Sequence, residues 1–230
     1  MKKNFLFVPL LALAVSCGEN SKPADQQKNV DSAITAQENS TKPIAPQDIP
    51  RSTDTVKMVA LPPVMEGDII FQTWNSDQSD EMEEASGSKY NSVGLVFIRK
   101  TDNQYMVVEM RDSLRATPLS EWVSRGKDQH VLLMRLKNSN QILSAKKTND
   151  LRNAVRTYHK MPYDYALSWG DDAMYGSELV WKIYHNALKI DLCPTKQLKD
   201  LNTKSGRLKT ELGKKYGKNI PLTDPAVTPD

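Results

Sequence analysis

Few side chains of this chain could act as a nucleophile or a base. The 230 residues include two cysteines, Cys17 and Cys193, and three histidines, His130, His159 and His185. A thiol nucleophile needs a histidine beside it to exchange its proton, whereas an isolated histidine is more often a surface or packing residue. We interpret Cys193 as a small, half-buried packing residue. The sequence contains no zinc pattern, phosphate-binding loop or paired-carboxylate motif, so we expect no metal and no cofactor.

Two short polar segments lie where a strand and a helix are expected. Residues 90–94 (YNSVG) lead into the apolar run at 92–99, and residues 175–180 (YGSELV) lie in a helix. That helix is predicted to start around Asp171 and Asp172, because acidic side chains suit a helix N-terminus. Its apolar positions share one face: Leu179, Val180, Ile183, Tyr184, Ala187 and Leu188.

The spacing of apolar residues predicts the remaining elements. Strands are expected at residues 67–72, 92–99, 105–110 and 130–136, with a short strand or bend at 115–118. Helices are expected at residues 119–125, 141–160 and 208–216, and a loop or frayed helix at 76–87. The pattern indicates an α+β domain in which helices pack on a small, mostly antiparallel sheet.

The first residues predict export and lipid attachment. Two lysines precede an apolar stretch, residues 5–15, that is too short for a mature transmembrane helix. The run at 13–17 (LAVSC) resembles a bacterial lipobox, in which the cysteine becomes lipidated. We predict a signal peptide at residues 1–16 and an exported lipoprotein anchored through Cys17 in the outer membrane, in the periplasm or at the cell surface. A plain signal peptide cleaved nearby is the alternative.

Composition divides the rest of the chain. Residues 18–57 lack Phe, Trp and Tyr and are rich in polar residues and proline, which predicts a disordered tether. We therefore assign 17–58 to the lipidated cysteine and linker, 59–220 to one folded domain, and 221–230 to a tail. A net charge of +3 with mixed signs argues against nucleic acid as a partner. A hydrophobic share of 39% fits one ordinary core and not a membrane-spanning bundle.

Seven segments of the predicted domain occur in a recognisable order. They are GDIIFQ (67–72), SKYNSVGLVFIRK (88–100), YMVVEM (105–110), TPLSEWVSRGKDQH (117–130), MRL (134–136), PYDY (162–165) and WGDDAMYGSELVWKIYHNAL (169–188). Together they resemble the YiiX-like branch of the permuted papain-like, or NlpC-type, cysteine hydrolases, over about residues 65–225. The resemblance implies a helix that carries the nucleophile, packed on a small sheet that carries the base earlier in the sequence. It also implies attack on amide or ester bonds in cell-wall peptides or acyl lipids.

At two key positions the chain departs from this family. The family's helix motif reads Tyr-Cys-Ser-Glu-Leu-Val, and here the nucleophile position is Gly176. The family's strand motif is of the Tyr-Ser-His-Val-Gly type, and here the base position is Ser92. The resemblance implies a third polar member, an acid on the following strand, which is kept as Glu109.

These substitutions remove the groups that the family's chemistry needs. Gly176 has no side chain, and the hydroxyl of Ser92 cannot act as a base near neutral pH. Glu109 has no histidine to orient. Ser177 is one residue further along the helix, which turns its side chain by about 100°. We therefore predict a catalytically inactive relative of the family.

A binding cleft is expected to remain for a peptidoglycan fragment, a lipid or an envelope protein. The residues predicted to border it are Gln72, Trp74, Tyr90, Tyr163, Asp164, Trp169 and Tyr175. Core packing is the alternative role for these aromatic residues, and Trp122 and Trp181 are predicted to be packing residues. Two other functions stay open: a hydrolase with a relocated nucleophile, Ser177 or Cys193, and a purely structural surface lipoprotein.

Overall fold

The computed structural model describes residues 63–204 and 206–229. The predicted signal peptide at 1–16, the linker at 17–58 and the lipidation site Cys17 lie outside the described residues. Among the described helices, none combines the length and the apolar character that a membrane crossing requires.

Five strands form the sheet on which the site is built. They are β1 (Ile69–Gln72), β2 (Ser92–Ile98), β3 (Tyr105–Met110), β4 (Leu114–Pro118) and β5 (Val131–Met134). The spatial order is β4-β3-β2-β1-β5, and every neighbouring pair is antiparallel. The predicted α+β class with a small antiparallel sheet is confirmed, and β2 lies at its centre.

The helices are α1 (Asp77–Ser86), α2 (Leu119–Ser124), α3 (Ser139–Ile142), α4 (Ala145–Thr157), α5 (Gly176–Leu188) and α6 (Gly206–Tyr216). Ser76 caps α1 by accepting a hydrogen bond from the Ser79 N–H, and Gly87 ends it with φ 71°. The one helix predicted at 141–160 is two helices. Leu143 has non-helical backbone angles, and the next residue, Ser144, caps α4 in an extended conformation.

The two faces of the sheet are covered by different helices. On one face Val93, Leu95 and Phe97 of β2 pack in a core with α4 and α5. On the other face Val96 and Val107 pack with Trp122 of α2. This split follows from the period of two in a strand, which sends successive side chains to opposite faces. The long apolar run of β2 is therefore buried on both sides.

Helix α5 starts at Gly176, later than the predicted start around Asp171 and Asp172. The backbone just before it is engaged in an extended pairing instead. The Met174 N–H donates to the Pro162 carbonyl at 3.0 Å, and the Asp164 N–H donates to the Met174 carbonyl at 3.0 Å. A residue that exchanges such long-range hydrogen bonds cannot also begin a helix, so the first turn forms only after Tyr175.

The C-terminal residues predicted as a tail pack into the domain. Strand β7 (Pro225–Ala226) pairs with β6 (Lys196–Gln197). The Val227 N–H donates to the Tyr175 hydroxyl at 3.0 Å, and Val227 is buried. The three prolines suggested an irregular segment, but Ala226 and Val227 between the last two of them are buried.

A buried carboxyl group lies where α1 meets α6. Glu81 is 3% exposed, and neither of its carboxylate oxygens has a hydrogen-bond partner among the described residues. Burial raises the pKa of Glu81 to about 8, while the charge of Arg207 opposes this shift. Because this pKa lies above the usual value of 4.5, the folded protein holds a proton that the unfolded chain has released. The stabilising effect is present in full below pH 4.5 and is lost as the pH rises through about 8.

We expect Glu81→Gln to stabilise the protein at pH 9 by about 1–3 kcal/mol, with a smaller difference at pH 5. The amide keeps the shape of the side chain and removes its ionisation. Urea unfolding at both pH values measures the effect, and Asp80→Asn, at an exposed position of the same helix, is the control. A stability difference that does not change between pH 5 and pH 9 contradicts this account of Glu81.

Candidate functional site

Helix α5 begins against the backbone of β2. A Cβ atom built on Gly176 would lie 3.4 Å from Cγ1 of Val93 and 3.5 Å from the Val93 carbonyl oxygen. These are ordinary van der Waals distances, and Gly176 is not among the described residues with a positive φ. The fold therefore does not require glycine at this position, since a Cβ atom fits there.

Gly94, two residues beyond Ser92, is a glycine that the fold does require. A Cβ atom there would lie 2.3 Å from Cγ1 of Val107 and 2.9 Å from the Val108 carbonyl oxygen on β3. Neither atom can move away cheaply, because one belongs to a buried β-branched side chain and the other to a paired strand. Packing explains the glycine at position 94 but not the glycine at position 176.

Gly176 and Ser92 meet in one small cavity, which we call the helix-tip hollow. Its free volume is about 20 Å³, room for about one water molecule. Residues from β2, β3, α1 and α5 and from the connecting loops line it: Trp74, Gln78, Ser79, Met82, Asn91, Ser92, Val93, Met110, Tyr163, Gly176 and Ser177. This lining contains no cysteine and no histidine.

Glu109 does not line the helix-tip hollow. It lies on β3 opposite Gly94, and its oxygens accept hydrogen bonds from Thr117 Oγ1 at 2.6 Å and Trp122 Nε1 at 3.0 Å. Arg125 Nη2 lies 2.7 and 2.9 Å from the two oxygens. The carboxylate faces α2, the helix that carries Trp122, and its charge is balanced by Arg125. In this chain Glu109 therefore holds the loop after α2 against the sheet.

Trp74 connects this ion pair to the helix-tip hollow. The guanidinium carbon of Arg125 lies 4.6 Å from the centroid of the Trp74 ring, and that of Arg111 lies 5.2 Å from it. The backbone N–H of Trp74 donates to Asn91 Oδ1 at 2.8 Å. The indole thus lies close to two cations and lines the hollow. Arg125 was missed by sequence reasoning, because no local pattern shows that its partner is Glu109, 16 residues earlier.

Tyr163 is the other predicted aromatic residue that reaches the helix-tip hollow. It packs against Tyr165, with ring centroids 4.8 Å apart. Burial raises the pKa of Tyr163 well above its usual range, so the residue stays a neutral phenol at physiological pH. Of the seven residues predicted to border the cleft, Trp74 and Tyr163 line the hollow.

Three of the other predicted cleft residues are buried inside the domain. Tyr175 is 1% exposed and binds the C-terminal segment through its hydroxyl. Asp164 accepts hydrogen bonds from the N–H groups of Ala166 and Ser168, which closes the loop that they share. Gln72 is fully buried. Its side-chain oxygen and nitrogen have no partner among the described residues.

Tyr90 and Trp169 lie away from the helix-tip hollow. Tyr90 contacts Phe71 and His130, with ring centroids 6.1 and 6.5 Å away. Trp169 packs edge-on against Trp181, with centroids 5.3 Å apart. That pair lines a separate open groove, which also includes His185.

A buried ion pair fastens the loop before α5 to the helix. Lys182 Nζ lies 2.9 Å from Glu178 Oε1 and 2.9 Å from Asp171 Oδ1, and it also donates to the Gly170 carbonyl. The Gly170 N–H donates to Glu178 at 3.3 Å. Burial raises the pKa of Glu178 to about 7, although Lys182 acts in the opposite direction. This contact fixes the approach to the start of the helix.

The chain's histidines and Cys193 contribute nothing to the helix-tip hollow. His185 Nδ1 lies 2.6 Å from Asp191 Oδ1, and its ring stacks on Trp181. The Cys193 carbonyl accepts a hydrogen bond from Trp181 Nε1 at 3.0 Å. Within residues 63–204 and 206–229, no three His, Cys, Asp or Glu side chains converge to hold a metal ion.

Two parts of the site differ from what the sequence predicted. Ser177 was predicted to face elsewhere, and the residues of helix α1 were not predicted to contribute. The helical rotation of about 100° per residue predicted that the Ser177 side chain points away from the site of Gly176. In the structure both residues line the helix-tip hollow. Helix α1 was predicted as a loop or frayed helix, and it contributes Gln78, Ser79 and Met82 to the wall. The serine and glycine that bound α1 were the only local signals of its ends.

Comparison with known proteins identifies the family. The model of the permuted papain-like amidase enzymes, the YaeF/YiiX or C92 family, matches residues 63–227. The uncharacterized protein YiiX of Escherichia coli (strain K12) is 34% identical over 163 residues, which cover 71% of this chain and 78% of that protein. A crystal structure described as the metalloprotein yiiX from Escherichia coli O157:H7 superposes with a TM-score of 0.61 at 34% identity, covering 71% of this chain and 88% of that one.

The match extends from just before β1 to the C-terminal strand β7, so it includes both the central sheet and the helix that begins at Gly176. The chain belongs to the permuted papain-like amidase family of YaeF and YiiX.

Proposed function

We propose that this chain is a lipid-anchored, catalytically inactive member of its family that binds a ligand at the helix-tip hollow without cleaving it. The observation that carries the proposal is the lining of the hollow. At the tip of α5, where the family's nucleophile and base are expected, the lining residues are Gly176 and Ser92. The ligand class that the family suggests is a peptidoglycan fragment, an acyl lipid or an envelope protein that carries such a group.

Loss of catalysis follows from the chemistry of these two residues. Glycine supplies no atom that could form a covalent intermediate, and a serine hydroxyl is far too weak a base to accept a proton near neutral pH. The family acid cannot compensate, because Glu109 is bound by Arg125, Trp122 and Thr117. Without these groups, the site can still bind a ligand and orient it through the dipole of α5.

A second candidate function is hydrolysis with Ser177 as the nucleophile. The placement of Ser177 in the helix-tip hollow favours it. However, a serine needs an adjacent base to become reactive, and the Ser177 Oγ has no hydrogen-bond partner among the described residues. A purely structural lipoprotein is the third possibility, and the unpartnered Ser177 hydroxyl in the lining of the hollow argues against it.

Purified mature protein should release no product from acyl esters, N-acyl amides or muropeptides above the rate of the heat-denatured protein. No nucleophile–base pair is present at the helix-tip hollow to form an acyl intermediate. Product release is followed by mass spectrometry over several hours. Sustained turnover that disappears in Ser177→Ala would overturn the proposal in favour of a relocated nucleophile.

Restoring the two family residues should rebuild an activated thiol. In the double variant Gly176→Cys with Ser92→His, we expect the new thiol to have a pKa clearly below the usual value of about 8.5, because a helix N-terminus and an imidazole both stabilise a thiolate. The rate of alkylation against pH measures this pKa, with native Cys193 as a reference in the same chain. The single variant Gly176→Cys separates the effect of the helix from that of the histidine. An unshifted thiol pKa in the double variant would show that the site is elsewhere.

Replacing Cys17 by Ser should release the protein from the membrane fraction. The predicted lipid is attached through the thiol, and no described helix could replace that anchor. Fractionation of cells that express the natural protein and Cys17→Ser measures the difference, with a nearby Ser16→Ala variant as the control for signal processing. If the Cys17→Ser protein has lost residues 1–16, as its intact mass shows, and still stays in the membrane, the anchor lies elsewhere.

A further inference from the structure

The first turn of α5 contains a polar group with no partner. Ser177 is 6% exposed, and its Oγ forms no hydrogen bond with the part of the chain that the structure describes. A buried hydroxyl left without a partner destabilises the folded protein. Ser177 lines the helix-tip hollow together with Gly176. The position of this hydroxyl points to a polar group that enters the hollow from outside.

The first turn of α5 also presents its backbone N–H groups. The first N–H groups of a helix have no acceptor within the helix, and Tyr175, at the N-cap position, provides no side-chain hydrogen bond. The helix has 13 residues, so the partial positive charge at its N-terminus is fully developed. Gly176 has no side chain to cover these N–H groups. Their field favours an anion over a neutral group.

Two acidic side chains near the helix-tip hollow are ion-paired, and a third, Glu83, lies behind Asn91 and accepts a hydrogen bond from its side-chain amide. Glu178, on the same helix, is ion-paired with Lys182, and Glu109 is ion-paired with Arg125. The guanidinium of Arg111 lies against Trp74, a residue of the lining. Glu81 on α1 is buried without a cationic hydrogen-bond partner among the described residues, which favours its neutral form.

The size of the hollow selects among anions. A free volume of about 20 Å³ admits one oxygen atom and not a tetrahedral phosphate or sulfate group. A carboxylate can direct one oxygen inward and keep its carbon and second oxygen at the mouth. Trp74 and Tyr163 then provide apolar surface for the carbon chain that follows the carboxylate.

We propose that the helix-tip hollow binds the terminal carboxylate of a ligand, through the first-turn N–H groups of α5 and the Ser177 hydroxyl. This inference rests on the proposed function, because it names the chemistry that the inactive site recognises. A peptide C-terminus and a fatty acid both offer this group. The bound carboxylate occupies the space that the side chain of a nucleophile would fill in a catalytic relative.

Calorimetric titration of the full mature protein tests the proposal with two matched pairs of probes. One pair is the tripeptide Ala-Ala-Ala and its C-terminal amide, and the other is octanoate and octanamide. We expect at least one carboxylate to bind at least tenfold more tightly than its amide. Binding confined to the peptide identifies a peptide C-terminus, and binding confined to octanoate identifies a fatty acid.

Two serine variants separate ligand binding from folding. Ser177→Ala should weaken carboxylate binding about three- to tenfold without lowering the melting temperature, because it removes a hydroxyl that has no partner in the free protein. Ser124→Ala, on the exposed side of α2, should change neither quantity. Equal binding of acid and amide, or no binding of either acid, contradicts this inference. Neither result bears on the absence of turnover, which tests the proposed function separately.

Discussion

The packing of helix α5 on the central strand β2 is the contact on which the rest of the domain depends. Leu179, Val180 and Ile183 bury one face of the helix against Val93 and Leu95 of the strand. Burial of one large aliphatic side chain contributes about 1.5–3 kcal/mol to the free energy of unfolding. The five side chains of this contact therefore contribute a substantial part of the stability of the domain. On the same buried face, one residue beyond Ile183, the Tyr184 hydroxyl donates to the Gly67 carbonyl. This hydrogen bond joins the helix to the residues just before β1. These contacts fix the position along β2 at which the first turn of α5 lies.

The site depends on this packing and not on the residues that would perform catalysis. The position of Gly176 follows from side chains one or more turns further along the helix, and the position of Ser92 follows from its pairing with Gln72 on β1. Either residue can therefore change without loss of the fold. Glu109 differs, since a buried charge without Arg125 would cost several kcal/mol. A carboxylate that binds a structural arginine persists even where no histidine needs to be oriented.

The strands could be predicted well because their signal is local. The runs of apolar residues in β2 and β3 predicted buried strands, and β3 begins and ends where expected. The start of α5 could not be predicted, because it is decided by the hydrogen bonds of Met174 with residues about ten positions earlier. The packing of Val227 against Tyr175 was missed for the same reason, since a contact across 52 residues leaves no periodic trace. The sequence placed Ser92 and Gly176 near one another through the family resemblance, and not through any pattern of their own.

The central claim is that no residue at the tip of α5 can form a covalent bond with a substrate. Mass spectrometry of the intact protein and of its proteolytic peptides, after treatment with a fluorophosphonate and with an acyl thioester, tests it most directly. The account predicts no adduct at residues 176–178 and an unchanged mass of the peptide that contains them. A stoichiometric adduct on Ser177 that a denatured sample does not form would contradict it, because such labelling requires a base beside that hydroxyl.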